Sequence, residues 1–412
     1  MGQVSAENLA EWAAEARGRW SVPGIALGLM QDGELVTAAD GVRAQGQAER
    51  VEPGTVFRVA SVTKPFTATL VLTLVQEGLL QLDEPPPGAR VNATIRQLLS
   101  HQGGLAPEWP EPLGDGETLL ELVQREPELL PVGPGELFSY CNVGYWLAAA
   151  AVERALGTSF EEAMNTRVLE PLGLASTGFE AVAAARGHDQ VAPGADEHVP
   201  AIVRYPRVRL AGGGLFSSVP DLLRFGAHQL GGPGPLTQES LVELRRPLSS
   251  GPGFRYGMGW FLRERQGRRC VEHPGSVLGY QSLLLFAPDE KLAFAALTNS
   301  SRGYAAIRDV LQKVGLDEDE PPTVTGTDLT RFAGRYVGQG TIADFVVVDG
   351  MLRVERTEVD PFTGETSSWP TVRGRPVGEA EFEIVDGEWR GDRFDFPRPG
   401  LVCLDFRLLQ AA

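Results

Sequence analysis

Residues 55–68 read TVFRVASVTKPFTA, and this stretch decides both the fold and the chemistry expected of the chain. Ser61 and Lys64 lie three positions apart, and lysine occurs at only two other positions among 412 residues. The apolar run over residues 61–78, stopped by Gly78, predicts a buried helix, on which positions i and i+3 share a face. The lysine amine can therefore reach the serine hydroxyl. Because burial lowers the pKa of a lysine, its neutral form can accept the serine proton.

A second polar pair lies in the segment FSYCNVGYWL, residues 138–147. Tyr140 and Asn142 come just before a helix predicted over residues 143–156, which ends at Gly157. A tyrosine beside an ammonium group can lose its proton more easily and can relay a proton to a leaving group. An asparagine amide can orient both a lysine and a substrate carbonyl. These two residues are candidates to act together with the lysine of the first segment.

A third segment, His273-Pro274-Gly275-Ser276, stands directly before a run of strand-forming residues. Glycine permits close approach of a substrate backbone. The backbone amide of Ser276 can form an oxyanion hole together with that of Ser61. We therefore predict that Asn142, His273, Gly275 and Ser276 bind the substrate or its oxyanion.

Ser-x-x-Lys, Tyr-x-Asn and His-x-Gly, in this order, resemble the motifs of the serine β-lactamase-like superfamily. This superfamily includes class C β-lactamases, penicillin-binding DD-peptidases, D-aminopeptidases and esterases of the same fold. The segments RQLLSHQGGL and LAGGGLFSSVPDLLRF are also similar to family segments, and the resemblance covers roughly residues 5–315. It implies Ser61 as the acylated nucleophile, Lys64 and Tyr140 as the base and proton-relay pair, and Asn142 as a substrate-positioning residue.

Two positions depart from the family pattern. The family's β-lactamases usually carry Lys-Thr-Gly where this chain has His273-Pro274-Gly275. A histidine supplies positive charge for a substrate carboxylate less reliably than a lysine, and proline has no hydroxyl. This departure favours the esterases and D-aminopeptidases over enzymes that turn over β-lactams. Cys141 stands where serine or alanine is usual, and its size suits the position.

Two further features of the family segments concern the shape of the site. We expect His101 to shape the site by hydrogen bonding rather than to take part in acyl transfer. Gly212–Gly214 predict either a tight approach of the backbone or an ordinary loop.

Each motif also has an ordinary structural explanation. Ser61 and Lys64 can be a serine at a helix start and a lysine whose stem lies on apolar surface. Tyr140 and Asn142 can be a core residue and a cap residue, and His273 a hydrogen-bonded histidine at a strand start. The occurrence of all three motifs in the family order favours the catalytic interpretation.

The composition and the missing motifs exclude other classes of protein. Asp and Glu outnumber Lys and Arg by 54 to 37, and the resulting net charge of −17 disfavours nucleic acid and anionic membranes as partners. No H-E-x-x-H, C-x-x-C, Walker A, G-x-G-x-x-G or G-x-S-x-G motif occurs, so metal, nucleotide and α/β-hydrolase interpretations lose their support. We expect a small ester, amide or peptide as substrate and no cofactor or metal; the oligomeric state stays open.

The sequence also bears on the cellular compartment. No stretch approaches the ~18 apolar residues of a membrane-spanning helix, and residues 1–20 lack the pattern of a secretion signal. The three cysteines, Cys141, Cys270 and Cys403, do not make a disulfide framework and are expected as reduced thiols. The prediction is a cytoplasmic protein.

The distribution of predicted strands and helices indicates an α+β fold. A β-hairpin over residues 24–41 turns at Asp32-Gly33, and a helical, loop-rich region follows it. Three strand-like runs and a closing helix come next, at residues 258–263, 282–286, 292–297 and 304–314. This order predicts an antiparallel sheet flanked by helices, with a helical subdomain, as in the β-lactamase/transpeptidase-like fold, over residues 1–316.

A change of composition separates the last part of the chain. Residues 317–322, DEDEPP, are typical of an acidic, proline-stiffened linker. Beyond it, Asp349-Gly350 and Asp386-Gly387 are each flanked by strand-like runs, the second pair by residues 381–385 and 388–396. Residues 323–412 are therefore predicted to form a small all-β domain, either a barrel or a sandwich. Its place after the catalytic domain suggests that it covers the substrate cleft of that domain and restricts substrate size.

The predicted function is a serine hydrolase that forms an acyl-enzyme with a small carboxylic ester or a peptide-like amide, of the esterase or D-aminopeptidase type. One alternative of the same fold is a β-lactamase or penicillin-binding DD-peptidase. An alternative of another class is a non-catalytic scaffold or ligand-binding protein that keeps the fold.

Overall fold

The computed structural model describes residues 4–108, 118–181, 183–190, 198–200, 205–359, 366–387 and 389–412. The helices are α1 Ala6–Arg19, α2 Thr63–Gln76, α3 Ile95–Leu99, α4 Leu119–Leu122, α5 Asn142–Leu156, α6 Phe160–Met164, α7 Leu210–Gly213, α8 Val219–Gln229, α9 Gln238–Leu244 and α10 Gly303–Lys313. The strands that precede α10 are β1 Gly24–Gln31, β2 Glu34–Gly41, β3 Phe57–Arg58, β4 His188–Gln190, β5 His198–Pro200, β6 Phe216–Ser217, β7 Ser249–Gly251, β8 Phe254–Tyr256, β9 Phe261–Arg265, β10 Arg268–Val277, β11 Tyr280–Ala287 and β12 Leu292–Thr298.

An antiparallel sheet in the order β2-β1-β12-β11-β10-β9-β8-β7 separates two apolar cores. Alternate side chains of a strand point to opposite faces, so Leu27 packs with α1 and α10 while its neighbour Ala26 packs with α2, α5 and α8. Strands covered by helices on both faces are apolar over nearly their whole length, as β12 is from Leu292 to Leu297. The α+β prediction, with helices on an antiparallel sheet, is confirmed.

Helix α2 lies in the middle of the larger core. All of its residues from Thr63 to Leu74 are buried, which explains why this part of the sequence lacks an amphipathic pattern. A single 3₁₀ turn, Ala60–Val62, precedes it. The helix predicted from the apolar run is therefore present, and Ser61 lies in the turn just before it.

Most elements predicted for the first domain are present, and β10 is the main strand that the sequence did not predict. The hairpin β1–β2 turns at Asp32-Gly33, and α5 ends at Gly157, whose φ of 68° is the left-handed conformation that glycine favours. The run predicted from residue 258 begins as a strand only at Phe261. The segment around His273 is itself part of a strand and does not merely precede one. The strand tolerates Pro274 because β9 no longer pairs with β10 at this position, so no backbone hydrogen bond is lost.

The last part of the chain is a closed barrel. Its strands are β13 Gly334–Gly338, β14 Thr341–Val348, β15 Met351–Val359, β16 Thr366–Ser368, β17 Val372–Pro376, β18 Glu381–Ile384, β19 Arg393–Arg398, β20 Leu401–Leu404 and β21 Arg407–Ala411. Strand β14 pairs with both β13 and β15, which closes the ring and decides between barrel and sandwich. Apolar side chains such as Phe345, Phe382 and Phe394 pack together in its core.

Two details of this region differ from the sequence predictions. Asp349-Gly350 connects β14 and β15 as expected, but Asp386-Gly387 lies in a longer connection between β18 and β19. The carboxylate of Asp386 instead accepts hydrogen bonds from the backbone N–H and the guanidinium of Arg373, at 2.8 and 2.6 Å. Asp386 therefore serves as a hydrogen-bond acceptor for the neighbouring strand and not as a residue of a tight hairpin turn.

The predicted linker is anchored to the first sheet. The Glu318 carboxylate lies 3.1 Å from the Arg265 guanidinium, which is buried and also pairs with buried Glu272 at 2.7 Å. Within the described ranges, no helix is long and apolar enough to cross a membrane. The three cysteines are buried free thiols.

Candidate active site

Ser61 occupies a strained turn between strand β3 and helix α2. The residue before it, Ala60, has a φ of 46°, a conformation that residues other than glycine rarely adopt. The Thr63 hydroxyl fixes this turn, because it donates to the Ala60 carbonyl at 2.7 Å and accepts from the Leu215 N–H at 3.1 Å. Strain of this kind persists where the surroundings hold it, and it is common at reactive residues. The Ser61 side chain remains partly exposed.

The Lys64 amine lies beside the serine hydroxyl inside the protein. Its Nζ is 3.2 Å from Ser61 Oγ and 2.7 Å from each of two other oxygens, Asn142 Oδ1 and the Gly212 carbonyl. The residue is fully buried, and this burial lowers the pKa of the amine to about 7. The predicted contact between serine and lysine is present, and the desolvation argument is confirmed in its direction.

Tyr140 lies over the same amine, but its pKa moves opposite to the prediction. The lysine Nζ is 4.7 Å from the centre of the tyrosine ring, and the His101 ring packs on the ring at 4.2 Å. Burial raises the pKa of the phenol well above its usual value, and the hydroxyl of Ser61 offsets this only in part. The prediction that Tyr140 loses its proton more easily was wrong, because desolvation outweighs the hydrogen bond with Ser61 and the charge of Arg407, which both lower the pKa of the phenol. Tyr140 is a neutral phenol that can donate a proton.

Asn142, the first residue of α5, connects the lysine to a carboxylate. Its Oδ1 accepts from Lys64, and its Nδ2 donates to Glu108. Its backbone N–H donates to the Pro107 carbonyl at 2.9 Å, which fixes the start of the helix against the loop that carries Glu108. The amide is therefore held in one orientation.

The edge of β10 beside the serine is open. Strand β10 pairs with β11 from Val271 to Val277 but with β9 only as far as Glu272. Pro274 has no N–H, so its nitrogen faces away from β11, and every second residue shares that direction. The backbone N–H of Ser276 consequently points to the open edge. This is the direction that the predicted oxyanion hole requires.

Gly275 allows this edge to lie against the turn that holds the serine. A Cβ at this position would be 2.2 Å from the carbonyl oxygen of Val59, two residues before the nucleophile candidate. The Ser282 hydroxyl on β11 donates to the same carbonyl at 2.8 Å. The protein's own backbone makes a close approach at Gly275, and the approach of a substrate backbone there stays a prediction.

The prediction that His273 binds the substrate needs a correction for its side chain, because both ring nitrogens contact the protein itself. Its Nε2 is 3.2 Å from the Tyr256 hydroxyl and its Nδ1 is 2.6 Å from the Pro274 carbonyl. Burial, together with the charge of Lys64, lowers the pKa of the imidazole to about 3. The ring is neutral and supplies no charge to a substrate.

The supporting residues agree with their predicted contacts. His101 Nδ1 accepts the backbone N–H of Cys141 at 3.0 Å, which is hydrogen bonding of the expected kind. Burial raises the pKa of the Cys141 thiol to about 12, so the thiol is protonated and unreactive. Gly212 leaves room for the indole nitrogen of Trp146, which would lie 3.1 Å from a Cβ at position 212.

Two charged residues of the site were missed by sequence reasoning. Glu108 raises the pKa of Lys64, and Arg407 on β21 lowers it. The guanidinium of Arg407 makes no hydrogen bond or ion pair within the described residues, although it is half-buried. Neither residue belongs to a recognisable motif; the first lies in a loop, and the second comes from the barrel.

A turn of the barrel delivers this arginine. Asp405 and Phe406, between β20 and β21, both have positive φ, and the Phe406 carbonyl accepts the backbone N–H of Tyr140 at 2.7 Å. The Ser139 hydroxyl accepts the Leu408 N–H at 3.3 Å. The barrel is thus hydrogen-bonded to the segment that carries Tyr140.

The arrangement can perform acyl transfer. It combines a hydroxyl, an amine with a pKa near neutrality and a phenol with a backbone amide that faces the open edge of β10. Among the described residues, no group of three or more His, Cys, Asp or Glu side chains is placed to hold a metal ion.

Comparison with known proteins agrees with this geometry. The family model described as Beta-lactamase matches residues 9–316. Penicillin-binding protein 4 of Amycolatopsis lactamdurans is 29% identical over 363 residues, covering 77% of this chain and 94% of that protein.

Two solved structures extend the comparison. The crystal structure of SurE is 25% identical, with a TM-score of 0.77 over 99% of both chains. D-amino acid amidase from Ochrobactrum anthropi SV3, complexed with L-phenylalanine amide, is 24% identical, with a TM-score of 0.66 over 75% of this chain and 98% of that one. The likeness to SurE extends through the barrel, whereas that to the amidase covers three quarters of the chain. With a family model matched over most of its length, the chain belongs to the beta-lactamase family.

Proposed function

We propose that the protein is a serine hydrolase that transfers acyl groups through Ser61. The observation that carries this proposal is the Lys64 amine, whose pKa is about 7 and whose Nζ lies 3.2 Å from the serine hydroxyl. The neutral amine has two N–H groups, which Asn142 and the Gly212 carbonyl can accept. Its lone pair is then left for the serine proton.

The proposed reaction begins when Ser61 Oγ attacks the substrate carbonyl and its proton passes to Lys64. The backbone N–H groups of Ser61 and Ser276 hold the oxyanion. Tyr140 gives its phenolic proton to the leaving group and recovers one from the lysine, because a phenol with a raised pKa serves as an acid rather than a resting base. Water then attacks the acyl-enzyme by the same route in reverse.

The substrate proposed is a peptide-like amide or a small ester with an ionised group near the reacting carbonyl. Arg407 offers a cation without an ion-pair partner among the described residues, and Glu108, which accepts a hydrogen bond from Asn142, offers an anion near Lys64. Neutral His273 cannot replace the lysine of Lys-Thr-Gly, so the barrel's arginine is the proposed receptor for a carboxylate. The D-configuration is proposed from the similarity to D-amino acid amidase.

Penicillin binding is the second candidate, because a penicillin-binding protein is 29% identical to this chain. The same Ser61 would open the β-lactam ring and remain acylated. The buried, neutral imidazole of His273 argues against efficient turnover. A non-catalytic scaffold is the least supported reading, since nothing in a scaffold requires a buried amine against a serine hydroxyl. Action in the cytoplasm stays a prediction from the sequence.

The test compares wild type with Ser61→Ala on p-nitrophenyl esters from acetate to octanoate, on D-amino acid amides and on nitrocefin. The exposed Ser250→Ala variant is the matched control. We expect turnover, and an acyl adduct on the intact protein in the mass spectrum, with wild type and Ser250→Ala only. Equal activity in all three proteins would contradict the proposal. A long-lived adduct with nitrocefin alone would favour the penicillin-binding alternative.

A further inference from the structure

Two hairpin turns at one end of the barrel contact the loops of the candidate active site. Strands β14, β13, β21 and β20 are neighbours in this order, and Val337 on β13 pairs with Gln410 on β21. Because neighbouring strands are antiparallel, the β13–β14 turn and the β20–β21 turn lie at the same end of the barrel. The β20–β21 turn binds the backbone of Tyr140, and the β13–β14 turn carries Gln339.

The side-chain amide of Gln339 joins two residues of the first domain. Its Oε1 accepts the backbone N–H of Glu108 at 2.9 Å, and its Nε2 donates to the Glu128 carboxylate at 3.0 Å. A glutamine amide has one accepting end and one donating end, so these two contacts fix its orientation. Gly340, with a φ of 68°, closes the turn, and its carbonyl accepts the Val359 N–H at 2.8 Å. The turn therefore presents the amide from a fixed position.

Helix α5 holds the loop of Glu108 from the other side. The Asn142 N–H donates to the Pro107 carbonyl at 2.9 Å, and Asn142 Nδ2 donates to the Glu108 carboxylate. Asn142 Oδ1 accepts from the Lys64 amine at 2.7 Å. A continuous path of hydrogen bonds, which passes through the short side chain of Glu108, therefore connects Gln339 to the amine.

The place of the Glu108 carboxylate affects the amine in two ways. Burial lowers the pKa of Lys64, and the charge of Glu108 raises it, so a carboxylate that moves away leaves the amine with a lower pKa. The same carboxylate fixes the Asn142 amide, whose Oδ1 binds the amine. Reacting groups keep a productive geometry when the residues behind them are themselves held. Release of the Glu108 backbone is therefore expected to change both the protonation and the position of the base.

We propose that Gln339 is a positioning residue of the reaction: it holds the backbone of Glu108, so that the Glu108 carboxylate stays on Asn142 beside Lys64. The proposal rests on the proposed function of Ser61 and adds a residue of the barrel to the support of the base. A residue that merely fastened the barrel to the first domain would change stability and leave the titration of the lysine as it is.

The kinetic test compares Gln339→Leu with wild type on p-nitrophenyl acetate between about pH 5 and pH 9. Leucine is of similar size but neither donates nor accepts a hydrogen bond. We expect kcat on the alkaline plateau to fall about 3- to 10-fold, because the base is less well placed. The midpoint of kcat/KM is expected to move to lower pH, as in Glu108→Gln. Gln410→Leu, the same substitution at an exposed position of the barrel, is expected to keep the wild-type values.

A double-mutant cycle tests whether Gln339 acts through Glu108. In the Glu108→Gln background no carboxylate charge is left to displace, so Gln339→Leu is expected to cause no further shift of the midpoint. The double variant Gln339→Glu/Glu128→Gln keeps an acceptor for the Glu108 N–H and reverses the donor and acceptor of the other hydrogen bond. It is expected to restore kcat to within about twofold of wild type. Additive shifts in the cycle would overturn the proposal.

A titration without turnover separates failure of this proposal from failure of the proposed function. Lysine occurs at three positions, so ¹³C labelling of lysine Cε gives three signals, and the signal that is missing from Lys64→Met belongs to Lys64. A lower midpoint of this signal in Gln339→Leu than in wild type and Gln410→Leu supports the positioning role even if no ester is hydrolysed.

Ester hydrolysis with an unchanged kcat and an unchanged Lys64 titration in Gln339→Leu overturns the positioning role and leaves the proposed function standing. Thermal unfolding identifies any variant that does not fold. Gln339→Met, which also lacks both hydrogen bonds of the amide, takes the place of Gln339→Leu if that variant is unfolded.

Discussion

The charge state of Lys64 controls the proposed chemistry at the scale of single residues. Burial lowers the pKa of the amine to about 7, and only the neutral form can take the serine proton. The rate must therefore rise with pH as the lysine loses its proton. We expect kcat/KM for a p-nitrophenyl ester to increase through a midpoint near pH 7 and then to level off. A profile that is flat between about pH 6 and 8 would show that the base titrates elsewhere.

The two missed charges give a sharper prediction, because their effects on the same pKa have opposite signs. Glu108 raises the pKa of Lys64, so Glu108→Gln is expected to move the midpoint to lower pH. Arg407 lowers it, so Arg407→Gln is expected to move the midpoint to higher pH. Both variants can also change KM, but a change in binding does not shift the midpoint in these two directions. Shifts of the same sign would contradict this placement of the charges.

Sequence reasoning found the central pair because its geometry is local. Ser61 and Lys64 meet through helix spacing, and the pKa of the lysine follows from an apolar helix, so both could be predicted without a structure. The pKa of Tyr140 could not, since its direction depends on how completely other elements bury the ring. Arg407 could not be predicted either, because a turn of the barrel brings it to the site.

At the scale of elements, the contact between β10 and the serine turn sets the reacting geometry. Gly275 is required there because any side chain would meet the Val59 carbonyl oxygen at 2.2 Å. We expect Gly275→Ala to push the two apart and to lower kcat/KM by about 10- to 100-fold, since small displacements of reacting groups have effects of this size.

The control for this prediction is Gly18→Ala on helix α1, where no atom lies within 4 Å of a new Cβ. Alanine favours helix over glycine, so this variant is expected to keep full activity and to gain about 0.5–1 kcal/mol in the free energy of unfolding. Steady-state kinetics and urea unfolding measure both variants. Equal kinetics for the two variants would mean that β10 does not position the serine turn.

Elements marked by a long apolar run or by a turn dipeptide were predicted, and strand β10, which has neither mark, was not. Helices α2 and α5 follow from apolar runs that end in glycine, and the β1–β2 hairpin follows from Asp32-Gly33. Strand β10 contains a proline, which argues against a strand unless one edge is known to be open. The open edge depends on where β9 stops pairing, and only the assembled sheet shows this.

At the scale of the whole molecule, a buried ionic cluster connects the linker to the first sheet. Arg265 and Glu272 are both about 2% exposed and pair at 2.7 Å, and Glu318 adds its carboxylate from the linker. Charges from Glu272 and Glu318 raise the pKa of the Arg265 guanidinium despite its burial, so it remains ionised. We expect Glu272→Gln to lower the free energy of unfolding by about 3 kcal/mol, because it leaves a buried charge with one exposed partner.

Denaturant unfolding of Glu272→Gln measures this loss, and Asp289→Asn provides the control. Asp289 pairs with Arg269 at the surface, where both side chains are at least half exposed, so its loss is expected to change stability by less than about 1 kcal/mol. Similar losses in the two variants would mean that burial of the cluster contributes little.

The barrel also forms part of the apolar core next to the site, so its removal should do more than widen the substrate range. Phe406 packs on Phe254 and Phe261 at ring distances of 5.6 and 5.2 Å, and its carbonyl holds the backbone of Tyr140. Deleting residues 323–412 would expose these rings and release that backbone. We therefore expect the truncated chain to have a lower midpoint of thermal unfolding and to lose most of its activity on short esters as well as long ones.

The full-length variant Phe406→Ala tests the same contact between the barrel and the first domain without removing the barrel. It keeps the backbone hydrogen bond to Tyr140 but loses the ring contacts, so we expect a loss of about 2 kcal/mol in stability and a smaller loss of activity than in the truncated chain. Calorimetry and ester kinetics compare the two proteins. If the truncated chain keeps its stability and its substrate range, the barrel neither supports the site nor restricts access to it.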